Sequence, residues 1–345
     1  DAKRVYLSIC LLNRLNVLVR AGLIARMHGI NYEDFERRLF KPLEHVVLTE
    51  RDPIIRDYVY RARHPHIAQI VFERILTNQE ERYDLYLKCL RNLNIDYSSD
   101  RVAFSHMTRG RTLLSLFSNH DLIKGIYRIA QEQVVDDPHL FHQMGLYEMH
   151  RPNGNLQESA RLFSDAQRLA PHDSAIKHSS AELYLKRAEG ARTPLEKSKY
   201  LDEAQVICNS LTSGQPLLSY GHHTAVKIGL TRLRDQVKDD SNDEIADSTI
   251  EKSIRQVEQV LADAHQRFPG DSYLLEAEAQ LASLLSDSRR ALRSLENAFQ
   301  ANPRSPFLAI RLAQQHMRTG SSDKAHEVLQ KALGANPGDQ KLHHA

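Results

Sequence analysis

The chain has 345 residues, of which 26% are charged and 41% hydrophobic, and its 46 Lys and Arg nearly balance its 44 Asp and Glu. The net charge of +2 argues against a dedicated nucleic-acid binder or a polybasic membrane-surface protein. No apolar run approaches the roughly 20 residues of a membrane span. Low Gly (14) and Pro (12), with no Trp, point to a helical protein.

In chain order, Val5, Tyr6, Ile9, Leu12 and Leu15 fit one face of a first helix. A second helix, from about Arg20 to Met27, stops at Gly29, a residue type that caps helix C-termini. Asn31 is placed to cap a third, with Glu33, Asp34 and Glu36 in its first turns and Tyr32, Phe35, Leu39 and Leu43 as its apolar face. The run from Val46 to Thr49 reads as a strand, Glu50 to Asp57 as a polar turn, and Tyr58 to Arg63 as a returning strand with Tyr58, Tyr60 and Ala62 on one face. Three helices followed by a β-hairpin is the plan of a winged-helix domain, assigned to residues 1–76. Glu33, Asp34, Glu36 and Glu44 in and beside the third helix oppose its use as a DNA-recognition helix, so DNA is not the expected partner.

Residues 77–137 read as a helical linker or degenerate repeat. Within it, the segment from Asp100 to Arg128 carries Arg101, Arg109, Arg111, Lys124 and Arg128 against Asp100 and Asp121, interleaved with Phe104, Leu113, Leu114, Leu116 and Phe117. An amphipathic helix pair is the expected structure, and an interface with a neighbouring domain or protomer the alternative.

From residue 138 the chain becomes periodic. Pro269, Pro303 and Pro337 are spaced by 34, and so are Ala279 and Ala313, Ala291 and Ala325, Leu295 and Leu329, Ala298 and Ala332, and Asn302 and Asn336. This pattern resembles the tetratricopeptide (TPR) repeat, in which small residues let paired helices pack closely and Pro closes the second helix. Pro171 closes another such unit, Pro138 is read as closing a degenerate one, and Pro171-His172-Asp173 recurs as Pro269-Gly270-Asp271 and Pro337-Gly338-Asp339. Between Pro171 and Pro269 two enlarged helix pairs are expected, Ser174 to Leu211 and Pro216 to Phe268, the second with an acidic, flexible loop from Lys238 to Ser248. The fold class is therefore mainly α: a small winged helix with a β-hairpin, followed by a TPR-like solenoid over 138–345.

The stretch from Tyr60 through Arg61, Arg63, His64 and Pro65 to Val71, together with Gly29 to Phe35 and Ser98 to Phe117, resembles bacterial antiphage STAND (NLR-like) signalling ATPases. Their order is effector, ATPase, winged helix, TPR array. The resemblance implies that His64, with Arg61 and Arg63 beside it, contacts the phosphates of ATP or ADP and holds the inactive state. An imidazole at a helix N-terminus flanked by guanidinium groups suits an anion. No Gly is followed by Lys, so a phosphate-binding loop is missing and the chain itself is not expected to hydrolyse ATP or to hold a cofactor. Because it starts at Asp1 rather than Met, it reads as the piece downstream of the catalytic portion.

That resemblance implies a sensor and transmission region in antiviral defence, with a viral protein on the TPR concave face and with the ATPase domain and sister protomers as further partners. Two alternatives stand beside it: a generic TPR scaffold or co-chaperone, and a winged-helix transcription regulator with a TPR ligand domain. TPR ligands lie along the first helix of each repeat, which marks Tyr147, Tyr184, Tyr220 and Tyr273 as partner-binding candidates. Histidine pairs (His139 with His142, His222 with His223, His343 with His344) lack the Cys, Asp or Glu company of a metal site. Cys10, Cys89 and Cys208 are too widely separated for a disulfide framework, which suits a reducing, cytoplasmic setting. Neither a nucleophile motif nor a catalytic carboxylate pair stands out.

Overall fold

The computed structural model describes residues 2–17, 19–53, 57–213, 218–238, 244–337 and 339–344. Two compact units divide the chain, Asp1–Ile176 and Lys177–Ala345.

The first unit opens with α1 (Ala2–Arg14), whose Val5, Ile9 and Leu12 are fully buried. A two-residue strand, β1 (Val19–Arg20), leads into α2 (Ala21–His28), which ends on Gly29 in the left-handed region (φ 60°). The expected regular third helix is instead a chain of short turns: a 3-10 turn Tyr32–Asp34, a π turn Glu36–Phe40 and α3 (Lys41–Leu43). Pro42 has no N–H to donate, and the bond from Lys41 N–H reaches back to Glu36 O. Phe35 and Leu43 are buried, whereas the side chains of Tyr32 and Leu39 lie outside the described residues.

The hairpin is longer than its sequence suggests. β2 (Val47–Asp52) pairs antiparallel with β3 (Asp57–Ala62) as far as Asp52 opposite Asp57, so Glu50 to Asp52 belong to the strand rather than the turn. β1 adds to the other edge through Val19 opposite Tyr60, giving the order β1-β3-β2. As the central strand, β3 buries both Val59 and Tyr60, and Ala62 with them, while Tyr58 near the hairpin end is 46% exposed.

Seven helices follow: α4 (Pro65–Ile75), α5 (Gln79–Arg91), α6 (Ser98–Met107), α7 (Gly110–Leu116), α8 (His120–Gln133), α9 (Pro138–His150) and α10 (Leu156–Leu169). One hydrophobic core runs from Val5 to Tyr147, passing residue 76 without a break. Phe72, Tyr86 and Phe117 are among its largest fully buried side chains, the last two edge to face at 5.5 Å. Pro138 opens α9 instead of closing a repeat. Asp137 accepts from the Leu140 N–H at 2.8 Å as the N-cap, and a first-turn Pro loses no hydrogen bond. α9 and α10 form a close hairpin: a Cβ on Gly145 would stand 2.5 Å from the Phe163 ring.

In the second unit, α11 (Ser174–Glu189, entering from the first) packs Ala181, Leu185 and Ala188 against Leu201, Ala204 and Cys208 of α12 (Pro194–Thr212). Then come α13 (Tyr220–Lys238), α14 (Glu244–Arg267), α15 (Ser272–Leu284), α16 (Ser288–Ala301), α17 (Pro306–Arg318), α18 (Ser322–Ala335) and α19 (Gln340–His343). Of the acidic loop expected from Lys238 to Ser248, Glu244 onward is helical and residues 239–243 lie outside the described residues. The periodic alanines do what close packing requires: Ala279, Ala291, Ala298, Ala313, Ala325 and Ala332 are all buried. Asn302 and Asn336 end α16 and α18 in the same conformation, φ −139° in both, immediately before Pro303 and Pro337. Asp173, Asp271 and Asp339 each accept two backbone N–H groups at the start of the next helix.

Candidate partner-binding groove

In the second unit, α13, α15 and α17 are the first helices of successive hairpins. Together they border a recess of about 200 Å3. Its chemistry comes from residues one or more turns apart on three helices: Arg234 from α13, Glu276 and Gln280 from α15, and Arg311, Gln314 and Arg318 from α17. Glu276 is only 4% exposed. The Gln280 amide donates to both its oxygens, at 2.7 and 2.8 Å, and Arg311 Nη2 lies 3.6 Å away. Arg234 Nη2 in turn donates to the Gln280 amide oxygen at 2.7 Å. The recess is thus bordered by three guanidinium groups against one buried, engaged carboxylate among the described lining residues.

Toward α11 the same helices carry a second polar network. Thr224 Oγ1 donates to Glu182 Oε1 at 3.1 Å and Lys227 Nζ donates to the same oxygen at 3.3 Å. His178 Nε2 lies 3.0 Å from Thr224 Oγ1. Burial works against the charge on Glu182, but Lys227, His178 and the Thr224 hydrogen bond hold its carboxyl below the usual range. Burial, reinforced by Lys227, pushes His223 down to about 4, and burial also lowers His178. The ion pair of this network is Lys227 with Glu182.

The four tyrosines separate into two kinds. Tyr220 (44% exposed) and Tyr273 (54% exposed) stand at the starts of α13 and α15, beside His178 and His223 at 5.1 and 5.5 Å between ring centroids. Tyr184 packs toward Tyr200 at 6.4 Å, with the Arg187 guanidinium over both rings. Tyr147 belongs to the first unit, is 3% exposed, and hydrogen-bonds His120 through its hydroxyl. Phe307, which the sequence reading passed over, is 54% exposed on the first turn of α17, and Tyr273 precedes it by the repeat length of 34. Gln280 and Gln314 share that spacing, so the period marked this surface before the arginines did.

His64 caps α4: its Nδ1 accepts from the His66 N–H at 3.2 Å. Arg61 is exposed on β3 and pairs across the hairpin with Glu50 at 3.1 Å. Arg63 is exposed, and its backbone N–H donates to Val46 O at 3.1 Å. The sequence neighbours His64, Arg61 and Arg63 therefore all reach the surface at the strand-to-helix turn.

His139 is exposed, while His142 is buried against Phe163 at 5.7 Å, so that pair does not converge. His222 packs on Phe268 and His223 on Tyr273. Among the described residues no group of three His, Cys, Asp or Glu is placed to hold a metal ion. The three cysteines are buried free thiols. Burial raises all of them, Cys10 to about 11 and Cys208 to about 12, so none is poised as a thiolate. Among the described residues no helix is long and apolar enough to cross a membrane.

Residues 282–345 match the tetratricopeptide repeat family model. No curated protein matches the sequence. Among solved structures, the chain is similar to a thermophilic TPR protein from Thermus thermophilus, at 20% identity over 60% of this chain and 95% of that one, TM-score 0.47. It is also similar to human IFIT1, solved as a dimer with PPP-AAAA, at 18% identity over 78% of this chain and 58% of that one, TM-score 0.43. A third is the APC/C hetero-tetramer Cut9–Hcn1, at 14% identity over 80% of this chain and 47% of that one, TM-score 0.43. The family match thus covers the segment from the end of α15 onward, where the chain is similar to tetratricopeptide repeats.

Proposed function

We propose that the chain is a protein-interaction scaffold whose α13–α15–α17 groove receives an extended, acidic segment of a partner protein. The observation that carries this reading is the excess of guanidinium groups: Arg234, Arg311 and Arg318 border a recess whose lining carboxylate, Glu276, is already buried and engaged. Guanidinium groups favour carboxylates because their fork of donors matches two oxygens at once. Phe307, exposed on the first turn of α17 with the Arg311 guanidinium over its ring, offers an apolar contact beside the charges. Repeat arrays of this kind bind along the surface their stacked repeats share. The test is a titration of the chain with a Glu-rich decapeptide and its Gln counterpart. The acidic peptide is expected to bind at least about tenfold more tightly, with the gain abolished in the Arg234→Gln, Arg311→Gln, Arg318→Gln triple variant. Equal affinity for the two peptides would refute the acidic preference.

The finer reading rests on the sequence resemblance: a sensor and transmission region of a STAND signalling ATPase, with a viral protein as ligand and relief of autoinhibition as the output. The element order α1-β1-α2-α3-β2-β3 and the sheet order β1-β3-β2 support a winged helix in residues 1–76. The exposed cluster of His64, Arg61 and Arg63 supports a contact with the ATP or ADP held by the full-length protein. In this reading the ligand acts only through its greater affinity for the active state. His64→Ala in the full-length protein is expected to give activity without a trigger, and unchanged basal activity would remove the latch.

A further inference from the structure

The first unit contains a pocket of about 420 Å3 between α8, α9 and the start of α10, independent of the groove just described. Its α8 wall carries His120, Lys124 and Arg128 at successive turns, so the three side chains form one stripe along the helix. Below them lie Met144, Tyr147 and Leu162, an apolar and aromatic floor. The His120 ring stacks on Tyr147 at 5.5 Å between centroids.

The electrostatics of this pocket are unbalanced. Its two carboxylates among the described lining residues are already engaged. Glu148 accepts from Arg151 Nε at 2.8 Å and from the Asn155 N–H at 3.1 Å. Glu158 accepts from Arg161 at 2.6 and 2.9 Å. Lys124 and Arg128 are exposed cations, and among the described residues neither is ion-paired. Two such cations one helical turn apart, bordering an open recess, favour a ligand that brings two adjacent anionic groups.

We propose that the α8–α9 pocket binds a small polyanion carrying two adjacent anionic groups, held by Lys124 and Arg128. Phosphate and carboxylate ligands share this chemistry, so the experiment uses both. The full chain is titrated calorimetrically with pyrophosphate and, separately, with citrate at low ionic strength. The Lys124→Gln, Arg128→Gln double variant is compared with an Arg91→Gln, Arg111→Gln control that removes two exposed cations elsewhere in the unit. Submillimolar binding of pyrophosphate, citrate or both is expected, reduced at least about tenfold by the pocket variant and unchanged by the control. Which probe binds separates phosphate from carboxylate ligands. Binding of neither, or an equal loss in the two double variants, or no loss in either, overturns the proposal. All four substitutions are at exposed positions, so thermal unfolding of the variants should match the parent.

Discussion

The guanidinium of Arg26 meets the carboxylate of Asp100 at 2.7 Å, although Asp100 is only 2% exposed. The same carboxylate accepts from the Asn94 N–H at 2.9 Å and faces Arg20 Nε at 3.5 Å. Arg20 is itself held over the Tyr97 ring at 3.7 Å. This cluster ties β1 and α2 to α6, and with them the N-terminal sheet to the helices beyond residue 76. Removing one partner of a buried pair leaves the other charge uncompensated, so Asp100→Asn is expected to destabilise the first unit by about 3 kcal/mol. Denaturant unfolding measures it. A loss below about 1 kcal/mol would place the cluster with ordinary surface pairs.

Two helix hairpins close on a glycine. A Cβ at Gly145 would meet the Phe163 ring at 2.5 Å, and one at Gly229 would meet Val257 Cγ2 at 2.5 Å. Neither neighbour is the loose end of a flexible side chain, so the helices must separate. Gly145→Ala and Gly229→Ala are each expected to cost about 1–3 kcal/mol, despite the better helix propensity of Ala. Stabilisation by either would show that the hairpins are not tightly packed there.

Asp271 holds two elements at once. It accepts from Tyr273 N–H and Leu274 N–H at the start of α15, and from Ser219 Oγ at 2.7 Å. Asp271→Ala should lower the stability of the second unit by about 1–2 kcal/mol as a lost cap. Ser219→Ala, which leaves the cap intact, should cost less. Equal losses would mean that the Ser219 link, not the cap, is the stabilising contact.

Stability should fall on mild acidification. Burial, aided by the nearby cations Lys88 and Arg4, pushes His28 down to about 4, and burial with Lys227 does the same to His223. Both lie below the ordinary value of 6.5, so the unfolded chain takes up protons first as the pH drops. The stabilisation is present above pH 6.5 and is lost progressively down to about 4. Glu278 adds a lower step: the His265 imidazole 3.5 Å away, and then the Arg290 hydrogen bond, outweigh burial and hold its carboxyl at about 2. That contribution is present above about 4.5 and is lost as the pH falls through about 2. Unfolding midpoints between about pH 7.5 and 4.5 should decline, with a shallower decline in His223→Phe. A flat profile in the parent would contradict the buried neutral histidines.

The repeats were legible because close packing demands small residues at fixed intervals, and the buried alanines keep the interval of 34. Pro138 misled because proline both follows and opens helices. Asp137 immediately before it was the distinguishing cue, since a capping side chain precedes a helix. β1 is two residues long, too short to show alternation, and became visible only through its pairing with β3. The broken third helix hid behind a regular apolar spacing that Pro42 interrupts. Arg234, Arg311 and Arg318 carried no local pattern because the groove collects them from α13 and α17, far apart in sequence. The period marked that surface through Ala279 with Ala313, Tyr273 with Phe307 and Gln280 with Gln314.

Whether an acidic segment lies along the first helices of the second unit is decided by mapping amide chemical shifts while a Glu-rich decapeptide is added. Shifts should cluster on α13, α15 and α17 around Arg234, Gln280 and Arg311, and weaken as salt screens the exposed charges. Shifts confined to α14, α16 and α18, or none at saturating peptide, would contradict that placement.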